Sequence, residues 1–179
     1  MKIAVIGWGS LYWDKRNLEL KSEWKSNGPV LPLEFARISS AGNEKERVTL
    51  VIDEEDGAEC ITYWAEMNFS TLQEAKENLR KREGTKLEYI KHITQLETPK
   101  NKIESTIQKW IKDQSLDAVV WTGLVSNWFE IRKNKFSLED LAFYLHSKKH
   151  SLNFIKEYFE KAPPQIRTKG RNTFNEFLM

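Results

Sequence analysis

The spacing of apolar positions changes several times along the chain, and each change marks an element. Lys2 to Ile6 is nearly all apolar and β-branched and is closed by Gly7, the pattern of a buried strand ending in a tight turn. Leu31, Leu33 and Phe35 alternate with their neighbours, as do Val48, Leu50 and Ile52. Ala41-Gly42-Asn43 supplies turn chemistry between them, so the two segments read as a hairpin. A further apolar run, Cys60 to Met67, follows the Asp56-Gly57 turn and predicts three consecutive antiparallel strands. The period then lengthens to that of a helix. Ser70-Thr71-Leu72-Gln73 reads as a capping box, Leu72, Ala75 and Leu79 form a narrow apolar stripe, and Gly84 is placed to stop the helix. Leu87 to Leu96 reads as extended, Ile103, Ile107 and Ile111 as one stripe of a helix, and Asp117 to Leu124 as a buried strand. Ser137, with Asp140 three residues on, opens a helix carrying Leu138, Leu141, Ala142 and Leu145. Leu152, Ile155 and Phe159 mark a last helix, which Ala162-Pro163-Pro164 stops.

The pattern is α+β, and 179 residues suit one domain. No repeat, low-complexity tract or long linker divides it, so a single domain over residues 1–179 is expected, with a helical C-terminal extension from about residue 137. Composition narrows the function classes. With 40% hydrophobic and 30% charged residues the chain is not a disordered one. A net charge of +2 is too small to argue for nucleic acid. The basic residues of the C-terminal third, from Lys148 to Arg171, are interrupted by Glu157 and Glu160 and read as a solvated face, so no nucleic-acid partner is expected. No apolar stretch approaches the length that spans a bilayer, and no membrane partner is expected. The single cysteine, Cys60, permits no internal disulfide, and residues 1–9 lack the long apolar stretch of a secretory signal; both point to a cytoplasmic protein. Cys60 itself sits in an apolar run with no base pattern around it and reads as a buried structural thiol.

Several segments invite a chemical reading. Gly7-Trp8-Gly9-Ser10 after a strand begins like a dinucleotide fingerprint, but Tyr12 stands where the third glycine belongs and the following strands look antiparallel. His146 and His150 have the i, i+4 spacing of metal ligands, yet Ser147-Lys148-Lys149 lies between them and no third ligand is announced. His92 reads as a structural histidine. Neither a cofactor nor a metal is expected.

Two segments remain: Gly7-Trp8-Gly9-Ser10-Leu11-Tyr12-Trp13 and Leu79-Arg80-Lys81-Arg82-Glu83-Gly84. The first resembles the Tyr-Gly-Ser-Leu signature of the gamma-glutamylcyclotransferase-like superfamily, especially its ChaC-like branch. The second resembles that superfamily's leucine-rich helix ending in Glu-Gly. The similarity runs over roughly residues 2 to 95 and fades from Asn101 onward. It implies an α+β fold with a small mixed β-barrel or strongly curved sheet flanked by helices. It also implies an intramolecular reaction in which the α-amine of a small-molecule gamma-glutamyl substrate attacks its own side-chain carbonyl and releases 5-oxoproline. That chemistry needs a base for the α-ammonium and donors for an anion.

By the resemblance, Glu83 is the general base, and the backbone N–H groups of Gly9, Ser10 and Leu11 are the donors. Trp8 stands where the superfamily carries Tyr, and Tyr89 is the nearest match to a Tyr that follows the Glu-Gly. Arg37, in phase with Leu33 and Phe35, either points inward to bind a carboxylate or ends the hairpin. Independently of the resemblance, a carboxylate at a helix C-terminus meets the negative end of the dipole, and any burial raises its pKa towards that of a useful base, opposed by Arg80 and Arg82 if they point inward; the other reading of Glu83 is a surface acid before a capping Gly. The alternative is a binding module: the same pocket holds a carboxylate-bearing ligand or a peptide without turnover, with Trp8 as the feature that closes off the chemistry.

Overall fold

The computed structural model describes residues 1–40, 42, 45–148 and 152–178. In chain order the elements are β1 (Ile3–Gly7), α1 (Ser10–Trp13), β2 (Val30–Ser39), β3 (Arg47–Ile52), β4 (Ala58–Ile61), β5 (Tyr63–Glu66), α2 (Leu72–Glu83), a single 3-10 turn (Leu87–Tyr89), β6 (Ile90–Thr94), α3 (Lys102–Asp113), β7 (Ala118–Thr122), α4 (Trp128–Arg132), α5 (Leu138–Ser147), α6 (Leu152–Lys161) and α7 (Lys169–Leu178). The fold is mixed α+β. Its described strands form two open sheets and no closed barrel: one of four strands ordered β5-β1-β7-β6, one of three ordered β3-β2-β4. By its contacts the chain divides into two compact units, Met1–Leu31 with Ile61–Gly123 and Pro32–Cys60 with Leu124–Met179. None of the described helices is long and apolar enough to cross a membrane.

In the first unit β1 is central. It pairs antiparallel with β5 (Ala4 opposite Glu66) and parallel with β7 (Ala4 opposite Val119), while β6 pairs antiparallel with β7. Ile3, Ala4, Val5 and Ile6 are all fully buried, so both faces of β1 are covered, which is why its sequence is a continuous apolar run rather than an alternation. Ile3, Val5, Ala65, Met67, Ala118 and Val120 form one core with Ala75 and Leu79 of α2. Each of the larger side chains among these, Ile, Val, Leu and Met, contributes about 1.5–3 kcal/mol relative to exposure. Ile107 and Ile111 of α3 are fully buried too, as their spacing predicts.

The ends of α2 follow from local chemistry. Its cap is Thr71, one residue later than the expected Ser70: the hydroxyl accepts from Glu74 N at 3.3 Å and donates to the Glu74 carboxylate at 2.6 Å. Gly84 ends the helix at φ 62°, with Gly84 N donating to Lys81 O and Thr85 N to Arg80 O, a left-handed closure that glycine adopts without strain.

The second unit holds the three-stranded sheet and helices α4 to α7. Its core includes an aromatic stack, Phe35 on Phe159 at 3.9 Å and Phe159 on Phe174 at 4.0 Å between ring centroids. Arg171 fixes the end of α6 by donating to the carbonyls of Phe159, Ala162, Pro163 and Ile166. Buried Glu46 accepts from Tyr144 Oη and from Gly42 N, and pairs with Lys148 at 2.9 Å.

Several expectations are corrected. Cys60 to Met67 is not one strand: the run breaks at Thr62, with β4 in one sheet and β5 in the other, and β4 lies beside β2 instead of β3. Thr62 is fully buried, with its N–H and hydroxyl both donating to Pro29 O, bonds that take it out of a strand ladder. Leu87 to Leu96 is extended only from Ile90 to Thr94. Ala162-Pro163-Pro164 does end α6, yet the chain then forms α7, with Arg171 N capped by the Thr168 hydroxyl at 3.1 Å. The hairpin turn at residues 41–43 falls largely outside the described residues, as does His150 of the His146/His150 pair.

Candidate functional site

Strand β1 runs into the turn at Gly7, and its sequence there is fixed by space. A side chain at Gly7 would stand 2.9 Å from the Trp24 ring and 3.3 Å from Leu11 Cβ. Trp8 is buried. Ser10 to Trp13 then form the short helix α1, in which Tyr12 N donates to Gly9 O and no side chain caps the first turn. Leu11 enters the core, while Tyr12 stands against Tyr63 at 4.3 Å between ring centroids. The turn therefore lies between the apolar core and an aromatic wall.

Helix α2 brings its last residues to this turn. Continuing its stripe from Leu79 by three positions reaches Arg82, whose side chain is only 3% exposed. The Arg82 guanidinium ties three things together. Nη1 donates to Glu83 Oε1 at 2.8 Å, Nη2 donates to Ser10 Oγ at 3.2 Å, and Nε, at 3.2 Å, donates together with Nη2 to Asp14 O, the carbonyl just after α1. Glu83 and Ser10, 73 positions apart in sequence, are thus joined through one planar fork.

Glu83 is itself largely covered, with a side chain 16% exposed. Burial pushes its carboxyl above the usual range, opposed by the attraction of Arg82, the hydrogen bond from Arg82, and the charge of Arg16. Arg82 engages Oε1, and among the described residues Oε2 carries no protein hydrogen bond. A carboxylate of raised basicity with one oxygen free is equipped to accept a proton.

The remaining predicted site residues are placed as follows. Tyr89 ends the 3-10 turn, which packs against α2; the residue is 39% exposed, and its carbonyl accepts from Gly123 N at 2.7 Å. Arg37 lies in the second unit and donates to Val125 O at 2.7 Å. Its phase is not that of Leu33 and Phe35. The β2–β3 register runs from Glu34 opposite Val51 to Arg37 opposite Thr49, so β2 holds an extra residue that shifts every later side chain by one position. His92 pairs loosely with Glu97 at 3.5 Å, and burial lowers its pKa. Cys60 is buried, and burial raises its thiol pKa. No group of acid, histidine and cysteine side chains suited to a metal ion occurs among the described residues. A groove of about 360 Å³ opens on another flank of α2, between Glu19, Phe69, Gln73 and Lys81, and neither Ser10 nor Glu83 lines it.

Sequence reasoning takes Arg82 only as a charge that opposes the rise in the Glu83 pKa if it points inward; what it misses is the fork that joins Glu83 to Ser10. Its signal is the helical period: position 82 falls on the stripe of Ala75 and Leu79, and a charged side chain on a buried stripe needs partners there. Comparison of the chain with protein-family models finds no match, and comparison with curated proteins finds none either.

Proposed function

We propose that the chain is an enzyme of the gamma-glutamyl cyclotransferase type, with the corresponding gamma-glutamylcyclotransferase-like fold, acting on a gamma-glutamyl amine or small peptide. One observation carries the reading: the fork of Arg82 that joins Glu83, a largely covered carboxylate, to the Gly9-Ser10-Leu11 turn. In this reading Glu83 takes a proton from the substrate's α-ammonium. The freed amine attacks the γ-carbonyl carbon, a C–N bond forms, and the oxyanion is held by backbone N–H groups of Gly9, Ser10 and Leu11. The bond to the departing amine then breaks. Of the ammonium's three protons one stays on the lactam nitrogen, and two leave with the amine, Glu83 carrying each in turn. Trp8 shapes the turn from the core side, and Tyr89 borders the helix end.

The test is to incubate purified protein with a panel of gamma-glutamyl amines and dipeptides while 5-oxoproline is measured, with Glu83→Gln alongside. The expected result is 5-oxoproline release that falls by roughly 10²–10⁴-fold in the variant, the usual contribution of a positioned base. Tight binding of the same compounds without product, indifferent to Glu83→Gln, overturns the enzyme reading in favour of a binding module.

A further inference from the structure

We infer that Arg82 is a positioning residue that holds the base and the anion-binding turn in one register, so that neither is correctly placed without it. The inference rests on the reading of Glu83 as the base and extends it to a residue that touches no substrate.

The geometry is that of a clamp. A guanidinium has five N–H donors. Four of them are directed at Glu83 Oε1, Ser10 Oγ and the Asp14 carbonyl, the last receiving two. With its donors committed to the protein and its side chain 3% exposed, Arg82 is built to fix other groups rather than to receive a ligand carboxylate. The targets it fixes are those the reaction needs in register. Ser10 opens α1, Asp14 follows its end, and Glu83 closes α2. A buried guanidinium left without these partners is costly, which makes the arrangement all-or-none.

The clamp also sets the charge around the base. Arg82 of the same helix and Arg16 from the segment after α1 act on Glu83, and Asp14 pairs with Arg16 at 3.0 Å. β6 and β7 contribute the apolar Ile90 and Val120 to the core that α2 packs on, while Lys86, just before the 3-10 turn, and Glu88, within it, pair with each other at the surface. Arg82 is the nearest cation to the carboxylate, so removing it favours the protonated acid.

The test uses Arg82→Gln and Arg82→Lys. Gln loses the charge and the fork; Lys keeps the charge but cannot reach Ser10, Asp14 and Glu83 together. For Gln, the inference expects kcat to fall at least tenfold with KM little changed, and the acid limb of the kcat profile to move up by about one to three pH units. For Lys, it expects a similar loss in kcat with a smaller shift of the limb. A purely structural role would lower the melting temperature and leave kcat unchanged in the folded variants, whatever the loss of charge does to the limb. Carbon-13 NMR titration of the Glu83 carboxyl reads the coupling without turnover. If no gamma-glutamyl compound is converted by the unaltered protein, the enzyme reading fails, while an upward shift of the Glu83 titration in Arg82→Gln still upholds the clamp. Should Arg82→Gln fail to fold, Arg82→Lys decides alone. Wild-type kcat in the Lys variant, or an unmoved Glu83 titration in a folded Gln variant, overturns the inference.

Discussion

Replacing Glu34 with Gln should change how the stability of the second unit depends on pH. Glu34 lies in β2 and is fully buried. Its Oε1 accepts from Phe35 N at 2.7 Å and from Gly170 N, in the first turn of α7, at 3.1 Å, whereas Oε2 has no partner. Burial raises its pKa above 4.5, opposed by the Thr168 hydroxyl and the two backbone N–H groups. The sign follows from linkage. A carboxyl with a raised folded-state pKa is protonated in the native chain over a range where the unfolded chain has already ionised. The stability it contributes is therefore complete below pH 4.5 and is lost as pH climbs towards the folded-state value. Within that window the loss approaches about 1.4 kcal/mol per pH unit.

Gln keeps the acceptor for both N–H groups and cannot ionise, so the part of the slope that Glu34 contributes should vanish. Its NH₂ puts two N–H donors at the site of the unpartnered Oε2, where the protonated acid has one O–H, so the added cost at low pH is at most about 1–3 kcal/mol. The variant should thus be less stable than wild type at pH 4.5 and gain on it steadily as pH rises. Urea unfolding at intervals from pH 4.5 to 8, with amide exchange at Phe35 and Gly170 as the local readout, measures both quantities. A wild-type minus variant difference that stays constant across this range would refute the reasoning, since it would mean that Glu34 ionises in the native unit as easily as in the unfolded chain.

Gly28→Ala should lower the melting temperature and cost about 1–3 kcal/mol or more by calorimetry, because the added methyl would lie 2.7 Å from Thr62 O and 2.8 Å from Thr62 C, backbone atoms that cannot swing aside. Tyr144→Phe should cost about 1–3 kcal/mol in urea unfolding by removing a donor from buried Glu46; a double-mutant cycle with Glu46→Gln should recover most of that loss, and additive losses would show that the two residues are independent.

What the sequence makes legible is the local part of this structure. Helix α2 follows from an apolar stripe, a threonine cap and a glycine with positive φ, all signals contained within a few residues. The caps of α3 at Asn101 and of α5 at Ser137 are of the same kind. Long-range facts are hidden. Nothing in Glu34-Phe35-Ala36-Arg37 announces a bulge, because it contains neither glycine nor proline, so Arg37 reads in the wrong phase. Glu34 looks like an outward-facing strand residue and is buried because Gly170, far along the chain, supplies an N–H to its carboxyl. The break at Thr62 is masked by apolar residues on both sides. At the site, Glu83 and the glycine-serine turn are visible as motifs, but the side chain joining them sits at a stripe position that an unpartnered arginine would not occupy.

The most direct test of the central claim is whether the turn and the acid respond to one ligand. Protein labelled with nitrogen-15 in its backbone and carbon-13 in its glutamate carboxyls would be titrated with 5-oxoproline, the product of the proposed reaction. The expected outcome is that the Gly9, Ser10 and Leu11 amides and the Glu83 carboxyl shift together with a single dissociation constant. Amides that move while Glu83 stays still, or no response from either at saturating 5-oxoproline, would contradict it.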